Sequence, residues 1–488
     1  MTLLILAAVA LGTGLASILV AGERRNLALA IGLVGSLVVL GLALVMPATD
    51  SLIVGGVGMV STPVVRAMAV AWSASLAVLG LLEIAVGGRP TVVGPSLVGL
   101  AVAGVALATR DPASSMAALA AGGVAGVVVP GIAGWLDGPD MPSRLPTTSR
   151  GTLAILGSGL LGLVVIAWGA SAAGPLGDAS GPVSIDEGAQ LSLGLALLVI
   201  VAAVAIRTGL IPLHVWAARF MEGVSPLAIP AAFAWGSAAF VLVALDWSQV
   251  ALGPAAAGDS ERLLIIFVAL TSVVLGGLAA MVHDDIEHVL GYSILQDAGV
   301  AVLAFASLDP GVVAAARNWL VASATVKTAL AAWATVVRTT YGGHRLDDLG
   351  GWARHSPALG VAFAGILVAA IGLPNMALFR ARSDLVSSAM PGIGTAVALV
   401  IAAMPAIYLG RIAIAGLAPV SPAVAAGLSG RPRWRRGGRA AGWSGGPITE
   451  AIRAIPGELR ANRAPLMALG VLALAVMALL TATGGAGG

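Results

Sequence analysis

The sequence carries a single lysine, Lys327, inside an apolar run from Trp319 to Val337 (WLVASATVKTALAAWATVV). A helix through this run sets the ammonium roughly 16 Å from Arg338, about half of a ~30 Å hydrocarbon core. Ionisable groups at that depth are costly and face a protein interior or a water path, so proton or ion handling is the chemistry to expect. The plainer alternative, a stray lysine that snorkels toward an interface, relieves only part of the burial. Asp297, in the preceding apolar run, is the most deeply placed acid, within about one or two helical turns of the depth of Lys327. It either pairs with Lys327, directly or through a water, or makes a polar contact between helices.

Two further apolar runs are interrupted by proline. Arg207 precedes Pro212 in IRTGLIPLHVW, and Pro374 precedes Arg380 and Arg382 in IGLPNMALFRARSDLV. Charge before the break in one run and after it in the other is the pattern of an inverted repeat, and broken helices free backbone groups that suit an ion path. Plain proline kinks are the other reading. His214 fits a proton relay or a packed helix-end histidine. Glu222 pairs with Arg207 or Arg219, lines the inner entrance, or forms a structural ion pair near the interface. His283, Asp284, Asp285, Glu287 and His288 have no liganding spacing and read as a solvated connector, so no metal site is expected. Glu83 falls near an inner helix end and is expected to stay solvated.

With 58% hydrophobic residues, 10% charged residues and a mean hydropathy of +1.00, the chain is a polytopic membrane protein. The 65 glycines, against 7 phenylalanines and 3 tyrosines, point to close helix packing through small residues. The absence of cysteine excludes disulfides, thiolate-held metals, iron–sulfur clusters and cysteine nucleophiles in this sequence. No phosphate-binding glycine loop followed by Lys-Ser/Thr occurs. Leu3 to Ala21 lacks a preceding basic region and is expected to be a retained helix rather than a signal.

About fourteen apolar runs span Leu3 to Thr483. They organise the chain into N-terminal helices over 1–94, a core over 95–417, a basic loop over 418–464 and a terminal helix over 465–488. Arginines collect on alternate loops (Arg24, Arg25, Arg89, Arg144, Arg150, Arg219, Arg338, Arg345, Arg354). Acids such as Asp186, Asp246, Asp259 and Asp309 collect on the others. This positive-inside pattern puts both termini outside and the basic loop 429–464 in the cytoplasm, where it reads as a lipid-facing anchor and not a nucleic-acid site.

The longest informative text is RTGLIPLHVWAARFMEGVSP, Arg207 to Pro226. It resembles the signature of the antiporter-like membrane subunits of respiratory complex I, shared with multisubunit cation/proton antiporters and membrane-bound hydrogenases. Pro212, Leu213, His214 and Trp216 match one half of that signature; Met221, Glu222, Gly223, Ser225 and Pro226 match the other. HDDIEHVLGYSILQDAG, from His283, is similar to the family's next block through Asp285, Ile286, Leu290, Tyr292 and Ser293. Lys327 falls on a family lysine, Gly372, Leu373 and Pro374 on its Gly-Leu-Pro break, and Arg382 on its distal lysine. The likeness covers Leu191 to Met390.

The resemblance implies an all-α polytopic membrane protein of about fourteen transmembrane helices, with two inverted five-helix repeats, two broken helices and a charged axis through the bilayer centre. It implies a subunit of a complex I-like NADH-quinone oxidoreductase in the cell (inner) membrane, moving protons while partner subunits hold the quinone and redox centres. This chain itself needs no cofactor. Its expected partners are other membrane subunits, the lipid bilayer and protons or monovalent cations, with no nucleic acid. The pathway would comprise Lys327, Arg207, Asp297, Arg382, Glu222 and His214, with Pro212 and Pro374 at the breaks.

The sequence departs from the family in five places, one of them the eighth helix, Leu227 to Leu245, which carries no Lys or His. The family's fifth-helix glutamate should lie near Ala120, yet Met116 to Val129 holds no acid; two family lysines are Arg207 and Arg382; and the eleventh-helix histidine aligns with Ser323. Desolvated lysines can titrate near neutral pH, whereas arginines keep their proton. The alternatives are therefore a degenerate structural subunit without transport, or a subunit of a cation/proton antiporter.

Overall fold

The computed structural model describes residues 1–21, 24–87, 92–135, 141–172, 187–223, 225–253, 256–341, 345–422, 424 and 463–484. The basic loop 429–464 lies almost wholly outside them. The order is α1 (Thr2–Ala21), α2 (Arg25–Val45), a hairpin of β1 (Ser51–Val54) and β2 (Val57–Val60), α3 (Pro63–Val86), α4 (Val93–Ala108), α5 (Pro112–Trp135) and α6 (Met141–Ala172). Then come α7 (Glu187–Thr208), α8 (Val215–Gly223), a π-helical turn Pro230–Trp235 running into α9 (Gly236–Trp247), α10 (Asp259–Val282), α11 (Ile286–Val302) and α12 (Pro310–Tyr341). The chain closes with the short α13 (Trp352–His355), α14 (Pro357–Ile371), α15 (Ala377–Ala389), α16 (Gly394–Leu417) and α17 (Arg463–Gly484).

Among the described residues, 11 helices are long and apolar enough to cross a membrane, or 12 when the bent pair Leu346–His355 and Pro357–Ile371 counts as one span. The chain is an all-α, multi-pass membrane protein. Its outer helices turn large apolar side chains outward, with Phe267 on α10, Val400 and Ile414 on α16 and Leu480 on α17 all exposed. That inside-out face is stable only against lipid. Inside this rim lie α11, α9 and above all α12, in which every residue from Trp319 to Val337 is buried.

Small residues let these helices approach closely. A Cβ on Gly299 of α11 would stand 2.8 Å from the Ala269 carbonyl oxygen of α10. The hairpin was not foreseen in the sequence. Gly55 and Gly56, with φ of 57° and 85°, form the two-residue turn that pairs Val54 with Val57. Thr62 then caps α3 by accepting from the Val65 amide, with Pro63 in its first turn.

Both proline-bearing runs are broken. α7 ends at Gly209 (φ 69°), where the Gly209 amide donates to Ile206 and the Leu210 amide to Ala205, a Schellman closure. α14 ends at Gly372 (φ 60°) through one bond from the Gly372 amide to Val368. Glycine is needed at both because other residues resist positive φ.

Candidate functional site

α12 runs unbroken past both breaks and carries Lys327 in its middle, 3% exposed. Its Nζ lies 3.0 Å from Oδ2 of Asp297 on α11, whose side chain is 16% exposed. Around the pair is a cavity of about 20 Å³ lined by Thr208, Ser237, Ser323, Asp297 and Lys327. By volume it has room for roughly one water. Trp319, two turns before Lys327, donates its indole N–H to the Asp297 main-chain oxygen at 2.9 Å and so holds α12 against α11 at the pair. One residue beyond Lys327, Thr328 accepts from the Trp235 indole at 3.0 Å, and Trp235 stacks on Trp72 of α3 with ring centroids 5.4 Å apart. The pair is thus braced from two sides by aromatic residues that the sequence reading did not single out. Their signal was present: tryptophans at mid-membrane depth need a partner for the indole N–H.

Arg382, on α15, is 1% exposed. Its guanidinium reaches back across the break and donates to the Ile371 oxygen at 2.8 Å and the Ala370 oxygen at 3.3 Å, capping the end of α14. It lies over the Trp319 ring at 5.0 Å, and the Asp297 carboxylate is within Coulombic range of it and of the buried Tyr408 hydroxyl. Arg382, Trp319, Asp297 and Lys327 therefore form one continuous cluster.

Arg207, in the last turn of α7, is 4% exposed, and its Nε and Nη1 have no hydrogen-bond partner. It lines a second cavity of about 40 Å³ with Ser96, Gly123 and Gly236. The π-helical turn shapes this wall: the Gly236 amide bonds to Ala231, one residue further back than in an α-helix, and the extra width sets Ala231, Ala232 and Gly236 on the cavity. Ala120, where the family glutamate would fall, is buried against α6, where Gly159 leaves room for its methyl.

The remaining candidates stand apart. Pro212 follows Ile211 in a cis peptide in the α7–α8 break, where the Ile211 amide donates to Ser272 at 3.1 Å and the Trp216 indole satisfies the Ile206 oxygen at 3.0 Å. Pro374 lies in the other break, between α14 and α15. His214 is half-buried and its Nδ1 has no hydrogen-bond partner, so it is not joined to the Lys327 cluster. The Glu222 side chain lies outside the described residues.

Glu83 is a correction: it is 5% exposed, not solvated. Its Oε1 accepts from the Val92 amide at 2.6 Å, because the start of α4 presents donors with no helical acceptor. The His283 to His288 connector holds no metal cluster among the described residues. It is tied instead by Asp284 to Arg411 at 2.7 Å and by Glu287 to Arg338. His283 stacks on His288 and Tyr292; partial burial, with the charge of His288, holds its imidazole below the ordinary histidine pKa.

Residues 184–406 match the family described as NADH:quinone oxidoreductase/Mrp antiporter, TM. NADH-quinone oxidoreductase subunit N 1 of Streptomyces griseus is 31% identical over 220 residues, covering 45% of this chain and 46% of the relative. The chain thus spans about half the length of the curated relatives it matches. The fold extends further. A chain of respiratory complex I from Thermus thermophilus with bound NADH superposes with a TM-score of 0.69 at 19% identity, covering 99% of both chains. A chain of an archaeal membrane-bound sulfane sulfur reductase gives 0.70 at 15% identity, covering 98% of this chain and 99% of that one. The two broken helices and the buried lysine of α12 all fall within the matched region, so residues 184–406 are similar to the membrane domain of the NADH:quinone oxidoreductase/Mrp antiporter family, and the chain as a whole shares the fold of complex I membrane subunits.

Proposed function

We propose that this chain is a membrane subunit of a complex I-like NADH-quinone oxidoreductase, and that it moves protons by way of Lys327 while partner subunits carry the electrons and hold the quinone and redox centres. The observation that carries the reading is the buried Lys327–Asp297 pair at 3.0 Å, open to a water-sized cavity lined by hydroxyls. A lysine and a carboxylate in direct hydrogen-bond contact can trade a proton between themselves, and a water in the adjoining cavity can carry it onward, without long-lived exposure of either charge to lipid. Thr208, Ser237 and Ser323 offer oxygens along the cavity between the pair and the end of α7. Arg207 and Arg382 hold fixed positive charge on either side, since guanidinium keeps its proton. Glu222 and His214 belong to the inner approach in this reading, and residues 95–417 form the transporting core with its inverted repeats. Both termini face outward from the inner membrane, and the basic loop 429–464 faces the cytoplasm.

A second reading draws on Arg382. Its bonds to two main-chain oxygens make it a brace of the break, as expected of a structural subunit that has kept the fold without transport. Proton pumping by vesicles holding the purified assembly separates the two. Transport falls more than ~10-fold in both Lys327→Ala and Lys327→Arg if the lysine titrates. Wild-type rates in both would leave the structural reading standing. Failure of Ala with full activity of Arg would show that fixed charge suffices.

A further inference from the structure

We propose that the cavity beside Arg207 is a binding site for a small monovalent anion of the halide class, held as the resident counter-charge of that arginine. A guanidinium does not shed its proton to escape burial, so an uncompensated one inside a membrane protein costs several kcal/mol. Elsewhere on the axis that cost is met: Lys327 has Asp297, and Arg382 has two carbonyl oxygens, a tryptophan face and the same Asp297 nearby. Arg207 has none of these. Among the described residues no carboxylate forms an ion pair with it, two of its three nitrogens lack any hydrogen-bond partner, and it is 4% exposed.

The space beside it is shaped for a small guest. A cavity of about 40 Å³ holds roughly three water-sized particles. Gly123 and Gly236 keep it open, because a Cβ on either would stand 2.7 Å from Nη1 and 3.1 Å from Nη2 respectively. Among the described residues no aspartate or glutamate lines it, and the Ser96 hydroxyl on its wall is buried and also lacks a partner. One donor fork and one hydroxyl, both unused, around a pocket whose α5 wall at Gly123 leaves no room for a side chain, match a monatomic anion with a water. Water alone would fill the volume and leave the charge unbalanced. The site is independent of whether Lys327 carries protons, and its test reads stability.

Thermal unfolding of the purified full-length chain in detergent is compared in sodium bromide, sodium chloride and sodium gluconate at equal ionic strength; gluconate is too large for the cavity. Bromide and chloride raise the wild-type Tm by roughly 3 °C or more over gluconate, and Arg207→Gln abolishes the difference. Equal wild-type Tm in all three salts overturns the site. So does a halide increment that survives in Arg207→Gln, since the ion then binds elsewhere. Ser96→Asp, which supplies a carboxylate on the cavity wall, decides the matter if Arg207→Gln does not fold. Its Tm in gluconate meets or exceeds that of the wild type and no longer responds to halide; an unchanged halide increment overturns the proposal.

Discussion

Arg207 and Arg382 sit at two breaks of the same kind and share almost nothing else. Each is a buried guanidinium beside a helix that ends on a glycine at positive φ. Arg382 follows its break and turns back to cap the helix it left, bonding the Ile371 and Ala370 oxygens and covering Trp319. Arg207 precedes its break, whose released oxygen at Ile206 is satisfied instead by the Gly209 amide and the Trp216 indole. With that oxygen already satisfied, Arg207 lines a cavity instead of capping the helix end. Position relative to the break, and not burial or residue type, decides whether an arginine becomes part of the backbone's hydrogen bonding or an open charge.

The contrast predicts opposite responses to the same substitution. Arg382→Met strips two charge-assisted bonds from the α14 end and should cost about 3 kcal/mol. Arg207→Met in halide-free buffer should stay within about 1 kcal/mol of wild type, or gain stability, because it removes a buried charge that has no protein partner. Unfolding in mixed detergent measures both. Equal losses would mean that Arg207 is bonded as Arg382 is, and the distinction between the two breaks would disappear.

Electrostatic reach gives a smaller but sharper difference. The Asp297 carboxylate lies within Coulombic range of Arg382, while among the described residues no carboxylate is comparably placed at Arg207. In double-mutant cycles, Asp297→Asn should couple to Arg382→Met by about 1–2 kcal/mol and to Arg207→Met by less than about 0.5 kcal/mol. Coupling of similar size to both arginines would place the Lys327 pair at the centre of a symmetric axis instead of on the Arg382 side.

How far these arrangements could be read from sequence varies with their reach along the chain. The helices were legible because length and hydropathy are local, and both breaks were legible because Gly and Pro act on their own turn. Lys327 and Asp297 could be set at similar depth by counting helical rise. Which of the open readings of Asp297 holds required the rotation of α11 against α12, fixed by the Trp319 bond and by Gly299 on Ala269. Arg382 was identified as a charged residue past a break; its turn back onto α14 depends on the angle at Gly372. Glu83 was misjudged because its partner, the Val92 amide, belongs to the next helix. The cavity at Arg207 is formed by α4, α5, the end of α7 and the π-helical turn together, and no single stretch of sequence announces it.

The finest test of the comparison lies in the two glycines that make the breaks. Both adopt positive φ, so alanine at either meets the same backbone strain of about 1 kcal/mol. Their surroundings differ. A Cβ at Gly372 would rest 3.4 Å from the Leu378 side chain, an ordinary contact on a flexible partner, so Gly372→Ala should cost little beyond the strain. At Gly209 the new methyl would stand 2.7 Å from the Ala217 Cβ, fixed on the first turn of α8, and relief requires the two half-helices to part. Gly209→Ala should therefore cost about 1 kcal/mol more than Gly372→Ala in the same unfolding assay. Parting α7 from α8 also shifts the last turn of α7, which carries Arg207, so the halide increment in Tm should shrink in Gly209→Ala and persist in Gly372→Ala. If the increment is equal in both variants, the Arg207 cavity is held by α4, α5 and the π-helical turn alone, and the break serves only to end the helix.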